Sequence, residues 1–374
     1  MALTQTQLYG ELALELSWSE EQLPERERTK HVHRLHPYLG KFVPQLVEAL
    51  LGRYVKPGGS VLDPFSGSGT TLVQSLESGY DAVGVDVAAF NALLMRVKTA
   101  DYDLDSLEQE VLEAHERLAH AGSGSSRTKP RGYVAEWFAP DAAAELLRFR
   151  SELPRYVHSD VLRVVLARAA RSARRTTHFD LDFPRSPQLG EYWCHKHRRT
   201  CRPVESANKF LSRYLLDTLA RLKAFAEVRH ERRAAVVLHG DARELELGGP
   251  YDGVVTSPPY PGLIDYHEQH RYAYELLGLD DRREREVGAA AAGTSRAAIE
   301  EYTAGIATVL GPVVESLRPG APLCIVVNDR RDLYPEILRR AGLVLGDRLE
   351  RHVNRRTGRR SGEYFESILI ATHP

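Results

Sequence analysis

A short apolar run that ends in a glycine-rich turn, VLDPFSGSGTT at residues 61–71, constrains the fold of this 374-residue chain more than any other stretch. The run predicts a buried strand at 60–62, and a helix is expected after the turn at 70–78. A second apolar run at 82–85 predicts another buried strand, which ends at Asp86. Alternating strands and helices with such short connections are typical of a parallel, doubly wound sheet. We therefore predict an α/β fold.

The alternating pattern stops after a helix at 88–99 and resumes near residue 233. The intervening residues 101–232 are predicted to be mainly helical, with a flexible linker at 121–132. Between residues 121 and 235 there are 23 Lys and Arg against 12 Asp and Glu, whereas the rest of the chain has 27 against 39. A basic segment within an acidic body is typical of nucleic-acid-binding proteins. A solvated, arginine-rich helical face is the alternative interpretation.

The C-terminal part of the chain predicts further strands and ends in a reversed pair. Apolar runs within 234–242, 251–260 and 321–329 each predict a strand. The last two runs, 343–353 and 366–373, flank a polar, arginine-rich turn and are interpreted as an antiparallel hairpin.

Composition excludes several classes of protein. Hydrophobic residues make up 43% of the chain, which is enough for a core, and no apolar run approaches the ~20 residues that span a bilayer. Three cysteines cannot form a disulfide scaffold, and the N-terminus lacks the pattern of a secretory leader. We therefore expect a cytoplasmic protein with no membrane partner.

The glycine-rich turn predicts a nucleotide-like ligand. Gly67 and Gly69 let the backbone approach a ligand closely and present amide groups at a helix N-terminus. Leu72 replaces the third glycine of a dinucleotide fingerprint, and no lysine follows at P-loop spacing. Asp86, at the end of the next strand, is placed to accept hydrogen bonds from ribose hydroxyls.

Three further side chains are assigned to the same ligand. Asp63 is expected to bind the amino group of a cofactor that carries an amino acid, and Phe65 is expected to lie against that cofactor. Asp241 closes a later strand, where its carboxylate can accept from an exocyclic amine of the ligand's base. A solvated loop aspartate is the alternative for Asp241.

The proline-rich tip TSPPY follows an apolar strand and predicts the reacting site. Pro258 and Pro259 fix φ and remove two N–H groups, so carbonyls and the Ser257 hydroxyl remain as acceptors, with Tyr260 as a stacking surface. Such a site suits a planar group that bears an amine. Hydrogen bonds from an exocyclic amine to Ser257 Oγ and the Pro258 carbonyl would favour a pyramidal nitrogen able to attack a positioned methyl group. In a parallel sheet, this tip and the glycine turn lie at the same carboxyl edge.

The motifs DPFSGSGTT, VDV, GDA and TSPPY together resemble those of S-adenosylmethionine-dependent amino-methyltransferases of DNA, which modify cytosine N4 or adenine N6. The upstream segment HPYLGKFVPQLVEALL is similar to the part of that family that contacts the methionine end of the cofactor. The resemblance covers residues 33–99 and 234–374. It implies a Rossmann-like, seven-stranded class I methyltransferase sheet with a reversed C-terminal hairpin, plus a mainly helical insertion.

The resemblance also assigns roles by position. It implies cofactor-binding roles for Tyr38, Lys41, Phe42, Asp63, Phe65, Gly67, Gly69, Thr70, Asp86 and Asp241, and catalytic roles for Ser257, Pro258, Pro259 and Tyr260. The expected domains are an N-terminal helical extension (1–32), a catalytic domain (33–100 and 233–374) and a basic insertion (101–232) that recognises the target.

The expected reaction is methyl transfer from S-adenosylmethionine to cytosine N4 in double-stranded DNA, with the base flipped out of the duplex. Ser257 favours cytosine, because many adenine enzymes of the family carry Asp or Asn at that position. Adenine N6 is the alternative. An RNA amino-methyltransferase and a regulatory DNA-binding protein without turnover are the other hypotheses. The expected setting is a prokaryotic nucleoid, with a restriction endonuclease that reads the same site as partner.

Two basic clusters are expected to contact DNA phosphates. One comprises Lys196, Arg198 and Arg199, and the other comprises Arg355 and Arg356 in the turn of the closing hairpin, for which a solvated turn is the alternative. Cys194, His195, His197 and Cys201 surround the first cluster. Four ligands so close in sequence would strain a tetrahedral site, so no metal is predicted.

Overall fold

The computed structural model describes residues 16–19, 21–40, 43–120, 129–178, 180–181, 184–353 and 365–374. The described chain forms two compact units. The first contains the described parts of Met1–Thr99, Val228–Asp265 and Arg282–Pro374, and the second contains those of Ala100–Glu227 together with Tyr266–Asp281. The segment Tyr266–Asp281, which was predicted to belong to the catalytic domain, packs with the inserted helices.

The described strands and helices alternate as the sequence analysis expected. The strands are β1 (Ser60–Asp63), β2 (Asp81–Asp86), β3 (Tyr192–Cys194), β4 (Arg199–Cys201), β5 (Ala235–His239), β6 (Gly253–Thr256), β7 (Pro322–Val327), β8 (Val344–His352) and β9 (Phe365–Thr372). The α-helices are α1 (Glu25–Arg28), α2 (Pro44–Tyr54), α3 (Thr70–Glu77), α4 (Ala89–Thr99), α5 (Leu104–His120), α6 (Gly132–Trp137), α7 (Pro140–Glu152), α8 (Ser159–Ala173), α9 (Asn208–Ala226), α10 (Tyr266–Gln269), α11 (Arg271–Leu277), α12 (Arg296–Glu315) and α13 (Tyr334–Arg340).

Across the described residues, the first unit contains a seven-stranded sheet in the order β5-β2-β1-β6-β7-β9-β8. Strands β5, β2, β1, β6 and β7 run parallel, and β9 pairs antiparallel with both β7 and β8. This confirms the predicted α/β sheet with a reversed C-terminal hairpin. The strand order reverses between β1 and β6, and ligands of open α/β sheets bind in the crevice at such a point.

Both faces of the central strands are buried, as parallel sheets require. Along β7, Leu323 and Ile325 pack into one apolar core, whereas Cys324 and Val326 pack into the other. The first core is covered by α12 and α13, and the second by α2. Alternate residues of a strand point to opposite faces, so a continuous apolar run fills both cores at once.

Two local predictions differ from the structure. The single helix expected at 265–277 is divided into α10 and α11, because His270 between them has non-helical backbone angles (φ −106°, ψ 15°). The N-terminal extension was expected to be one helix. Its described part contains α1 and a 3₁₀ turn at His31–Arg34, and residues 1–15 and 20 lie outside the described residues.

The second unit is a bundle of helices with one small hairpin. Helix α9 packs against α8 and α5, and α11 packs against α8. Between α8 and α9 the buried Arg168 donates to Asp217 Oδ2 (2.5 Å) and to Thr218 Oγ1 (2.6 Å). The short strands β3 and β4 pair antiparallel apart from the large sheet. Among the described helices of both units, none combines the length and apolar character that a membrane span needs.

Candidate cofactor and catalytic site

The glycine-rich turn joins β1 to α3 in a conformation that requires glycine. Gly67 has φ +51° and Gly69 has φ +80°, a region that residues with a Cβ rarely adopt. A Cβ on Gly67 would lie 2.9 Å from Tyr38 Oη, and one on Gly69 would lie 2.8 Å from Met95 Cγ. The turn therefore brings bare backbone to the first turn of α3, which starts at the buried Thr70.

Asp63 ends β1 in a buried position. Its Oδ1 accepts from the Phe65 backbone N–H (3.1 Å) and from Thr256 Oγ1 (2.6 Å). Burial raises the pKa of the Asp63 carboxyl to about 6 despite these hydrogen bonds. Thr256 is the last residue of β6, so this contact ties the strand before the glycine turn to the strand before the proline tip. The sequence analysis did not anticipate Thr256.

Asp86 ends β2 beside the same turn. Its Oδ2 accepts from the Gly67 N–H (2.8 Å), and its Oδ1 accepts from the Ala88 N–H (2.8 Å) and from Asn91 Nδ2 (3.1 Å). Burial raises the pKa of Asp86 to about 7, although these donors oppose the shift. Asn91 also donates to Tyr38 Oη (3.1 Å), so Tyr38, Gly67 and Asp86 form one cluster.

A buried lysine donates a hydrogen bond to the glycine-rich turn. Lys98, on the last turn of α4, is 1% exposed and donates from Nζ to the Ser68 carbonyl oxygen (2.5 Å). Lysine is rarely buried unless it is paired, so this position has a specific cause. The sequence analysis missed Lys98 and Asn91, because the helical pattern of α4 predicts only which residues are apolar.

Asp241 follows β5 and is held by an arginine. Arg243 Nε and Nη2 approach its two carboxylate oxygens at 2.9 and 2.6 Å, and the Arg243 N–H donates to Oδ1 (3.0 Å). Burial disfavours the charged form, but the hydrogen bonds and charge of Arg243 outweigh it and lower the pKa of Asp241. Asp241 is therefore an ionised and already paired carboxylate, a pairing that the sequence did not predict.

The proline tip leaves the sheet directly after β6. Ser257, Pro259 and Tyr260 are partly exposed, and Pro258 is buried. Tyr302, on α12, donates from its hydroxyl to the Pro259 carbonyl oxygen (2.9 Å) and lies 3.1 Å from Tyr334 Oη. Burial raises the pKa of Tyr302, so its hydroxyl remains a donor. The tip is thereby fixed by α12 as well as by its own prolines.

A cavity of about 290 Å³ opens beside the tip, at the end of β7. It is lined by Tyr260, Pro261, Leu263, Tyr302, Val327, Asn328, Asp329, Arg330, Arg331, Leu333 and Tyr334. Asp329 accepts the Leu333 and Tyr334 N–H groups at 2.8 and 3.1 Å, which holds the wall of the cavity against α13. The site thus combines an aromatic ring, an amide side chain and two exposed arginines next to the predicted catalytic residues.

Of the remaining predicted residues, some lie in the second unit and others lie outside the described residues. Lys196, Arg198 and Arg199 are exposed in the β3–β4 hairpin of the second unit. Lys41, Phe42, Arg355 and Arg356 lie outside the described residues.

This sheet order, with a glycine turn after β1, an acid after β2 and a Ser-Pro-Pro-Tyr tip after β6, defines a class I methyltransferase that uses S-adenosylmethionine. A family model described as DNA methylase (N6_N4_Mtase) matches residues 8–92. The type II methyltransferase M.MjaII of Methanocaldococcus jannaschii is 33% identical, over 96% of this chain and 84% of its own length. M.MvaI of Kocuria varians is 24% identical, over 66% of this chain and 58% of its own. The chain belongs to the S-adenosylmethionine-dependent amino-methyltransferases of DNA.

The residues present fit this cofactor. The cradle at Gly67 and Gly69 has no room for a Cβ, and the Asp63 and Asp86 carboxyls flank it. Within the described structure, buried Ser68 Oγ and Asn91 Oδ1 have no hydrogen-bond partner, which leaves polar atoms beside the turn for a ligand. S-adenosylmethionine supplies an electrophilic methyl group on a sulfonium centre.

Proposed function

We propose that this chain methylates N4 of cytosine in double-stranded DNA. Membership of the family establishes methyl transfer to an exocyclic amine of a DNA base and leaves the base open. Ser257 stands at the first position of the tip, where many adenine enzymes of the family carry Asp or Asn, and this supports cytosine. Adenine N6 is the second candidate, because the Ser-Pro-Pro-Tyr tip also occurs in adenine enzymes.

One observation carries the catalytic assignment. The proline tip follows β6, which pairs with β1, so both functional tips lie at the same edge of one sheet. The Thr256–Asp63 hydrogen bond (2.6 Å) joins them directly. We assign Ser257 Oγ and the Pro258 carbonyl as acceptors of the two amine N–H bonds, which localises the nitrogen lone pair for attack on the methyl group.

The cavity beside Tyr260 is assigned to the flipped base. Enzymes that modify a base extrude it from the duplex and hold it by stacking and by hydrogen bonds to its edge. Tyr260 supplies a ring for stacking, and Asn328 supplies an amide for the base edge. Arg330 and Arg331 are exposed at the rim, where they suit the phosphates of the extruded nucleotide.

The decisive experiment is mass spectrometry of nucleosides from unmethylated DNA incubated with the protein and labelled S-adenosylmethionine. We expect labelled 4-methylcytosine. Ser257→Ala should lower kcat about ten- to a hundredfold, because the reacting nitrogen then has one hydrogen-bond acceptor fewer, with unchanged cofactor affinity. Ser151→Ala, at an exposed serine of α7, is the matched control and should keep full activity.

Two results would overturn parts of this proposal. Labelled 6-methyladenine would keep the site and replace the base. Full activity of Ser257→Ala together with 4-methylcytosine would remove Ser257 from the mechanism.

We propose further that the domains divide the work as the sequence suggested, with the basic insertion at 101–232 recognising the target sequence. The charge balance of residues 121–235, with 23 Lys and Arg against 12 Asp and Glu, supports this role. The curated relatives are named type II methyltransferases, and we extend that designation to this chain. The expected partner is a restriction endonuclease of the same specificity, against which the methylated DNA should be protected.

A further inference from the structure

Four potential metal ligands converge in the second unit, outside the transfer site. They are His178, Cys194, His197 and Cys201, and one ligand atom from each lies within 4.8 Å of the others. Cys194 Sγ is 3.5 Å from His178 Nδ1, and Cys201 Sγ is 3.5 Å from His197 Nδ1. The two imidazole rings meet edge to face, with centroids 4.5 Å apart.

The two sulfur–nitrogen distances match those of a tetrahedral zinc site. Zn–S bonds of ~2.3 Å and Zn–N bonds of ~2.0–2.1 Å at tetrahedral angles place sulfur and nitrogen about 3.5 Å apart. Both sulfur–nitrogen distances above have this value. Two thiolates and two imidazoles are a common donor set for structural zinc.

The β3–β4 hairpin supplies three of the four ligands, Cys194, His197 and Cys201. Cys194 ends β3 and Cys201 ends β4, and the register Tyr192↔Cys201 and Cys194↔Arg199 places both thiols on one face of the hairpin. Both cysteines are buried. Arg198 has φ +51° in the connecting turn, where the chain reverses just after His197.

The fourth ligand comes from a separate segment. His178 lies 16 residues before Cys194, so it closes the site without crowding the hairpin. The Tyr192 hydroxyl accepts from the His178 backbone N–H (3.1 Å) and lies 2.8 Å from His178 Nδ1. The backbone contact ties the His178 segment to β3, whereas zinc bound at Nδ1 would displace the hydroxyl from that nitrogen.

The hairpin is short and partly exposed. Each strand is three residues long, and Trp193 between the ligands is 58% exposed. A two-stranded hairpin of this size is marginal in water, and small elements without a core are commonly held by a metal. Metal binding then contributes directly to the folding of the segment.

We propose that His178, Cys194, His197 and Cys201 bind one structural zinc ion. Four protein ligands complete the tetrahedron and leave no open position, so the ion serves the fold and not the transfer reaction. No metal was predicted from the sequence, because Cys194, His195, His197 and Cys201 lie too close together in the chain to form an unstrained tetrahedron. The structure replaces His195, which is exposed and outside the cluster, with the distant His178.

The test is the metal content of the full-length protein purified without chelator, measured by inductively coupled plasma mass spectrometry. We expect one zinc per chain. Cys194→Ser, Cys201→Ser, His178→Ala and His197→Ala should each lower the stoichiometry at least severalfold. His195→Ala is the matched control, because it removes an adjacent histidine from the same turn, and it should retain one zinc.

A second measurement does not depend on whether the variants fold. Replacement of zinc by cobalt in the wild-type protein should give the visible absorption of a tetrahedral site with two thiolate ligands. Modification of Cys194 and Cys201 with a mercurial should release one equivalent of metal, whereas Cys324 is buried in β7 and should not contribute. A wild-type protein without stoichiometric metal from zinc-supplemented cells, a Cys194–Cys201 disulfide, or equal loss in His195→Ala would each overturn the proposal.

Discussion

At the scale of single residues, two carboxyl groups of the candidate site have pKa values shifted in opposite directions. Asp86 has a pKa raised to about 7 by burial, whereas Arg243 lowers the pKa of Asp241 against its burial. The raised value lies above the ~3.9 of an unfolded chain, so protonated Asp86 stabilises the cofactor-free fold below about pH 4. This contribution is lost as the pH rises through 7.

The affinity for S-adenosylmethionine should therefore increase with pH up to about 7.5. We propose that ionised Asp86 accepts hydrogen bonds from the ribose hydroxyls of the cofactor, and the ionised fraction falls about tenfold per pH unit below the pKa. Isothermal titration calorimetry between pH 5.5 and 8 should show a rise of about tenfold per unit below pH 7 and a plateau above it. Asp86→Asn should bind weakly and lose the rise in affinity between pH 6 and 8, and Asp241→Asn should retain the wild-type slope in that range. A wild-type affinity that is equal at pH 6 and 8 would contradict this role.

The sequence alone indicates the parts of the candidate site that depend on local backbone conformation. Gly67 and Gly69 were singled out because glycine lets the backbone approach a ligand at a helix N-terminus, and the structure shows them at φ +51° and +80°. Lys98, Thr256 and His178 were missed because each acts on a partner 16 or more residues away. No spacing rule encodes such contacts before the sheet order and the packing of helices are known.

At the scale of elements, helices α8 and α9 are joined by an ion pair between the buried Arg168 and the partly buried Asp217. Arg168 is 7% exposed and contacts Asp217, Thr218 and the ring of Tyr214, with its guanidinium 4.3 Å from the ring centroid. Burial lowers the pKa of Arg168. Burial also opposes ionisation of Asp217, but hydrogen bonds from Arg221 and Arg168 lower its pKa to about 2. The charged form of Asp217 is strongly favoured because two arginines donate to it.

Removal of this carboxylate should destabilise the protein. Asp217→Ala leaves the Arg168 charge buried and should lower the free energy of unfolding by about 3 kcal/mol. Glu113→Ala breaks the exposed Arg117–Glu113 pair and should cost at most about 0.5 kcal/mol. Urea denaturation at pH 7 compares the two variants. The difference in unfolding free energy between wild type and Asp217→Ala should shrink as the pH drops from 4 to 2, because Asp217 becomes protonated near its lowered pKa. Equal destabilisation by both substitutions would show that the buried pair has no special weight.

At the scale of the whole molecule, charge is divided between segments. The net charge of −1 conceals a basic stretch at 121–235 within an acidic remainder, and Lys196, Arg198 and Arg199 lie exposed within it. If this stretch contacts DNA, its basic side chains release counterions from the phosphates on binding.

Replacement of Lys196, Arg198 and Arg199 by Gln should weaken DNA binding without changing sequence preference. The slope of log affinity against log salt should fall by roughly one for each phosphate that the variant no longer neutralises. Fluorescence anisotropy over a series of salt concentrations measures this slope. The control is Arg26→Gln, Lys56→Gln and Arg296→Gln, three exposed basic residues outside the stretch. An unchanged slope in the first variant would place the DNA-binding surface elsewhere.

The second unit is assembled from two pieces of chain, and this has a consequence for engineering. Its main piece leaves the first unit at Thr99 and the chain returns at Val228, where Arg229 donates to the Thr99 carbonyl (3.3 Å). Its minor piece, Tyr266–Asp281, begins six residues after Tyr260. Grafting a new specificity from a relative would therefore need both pieces transplanted together. A chimera that exchanged only the long piece would pack α11 against helices from another protein. Each of the two pieces has two ends, so recombination needs four crossover points and not two.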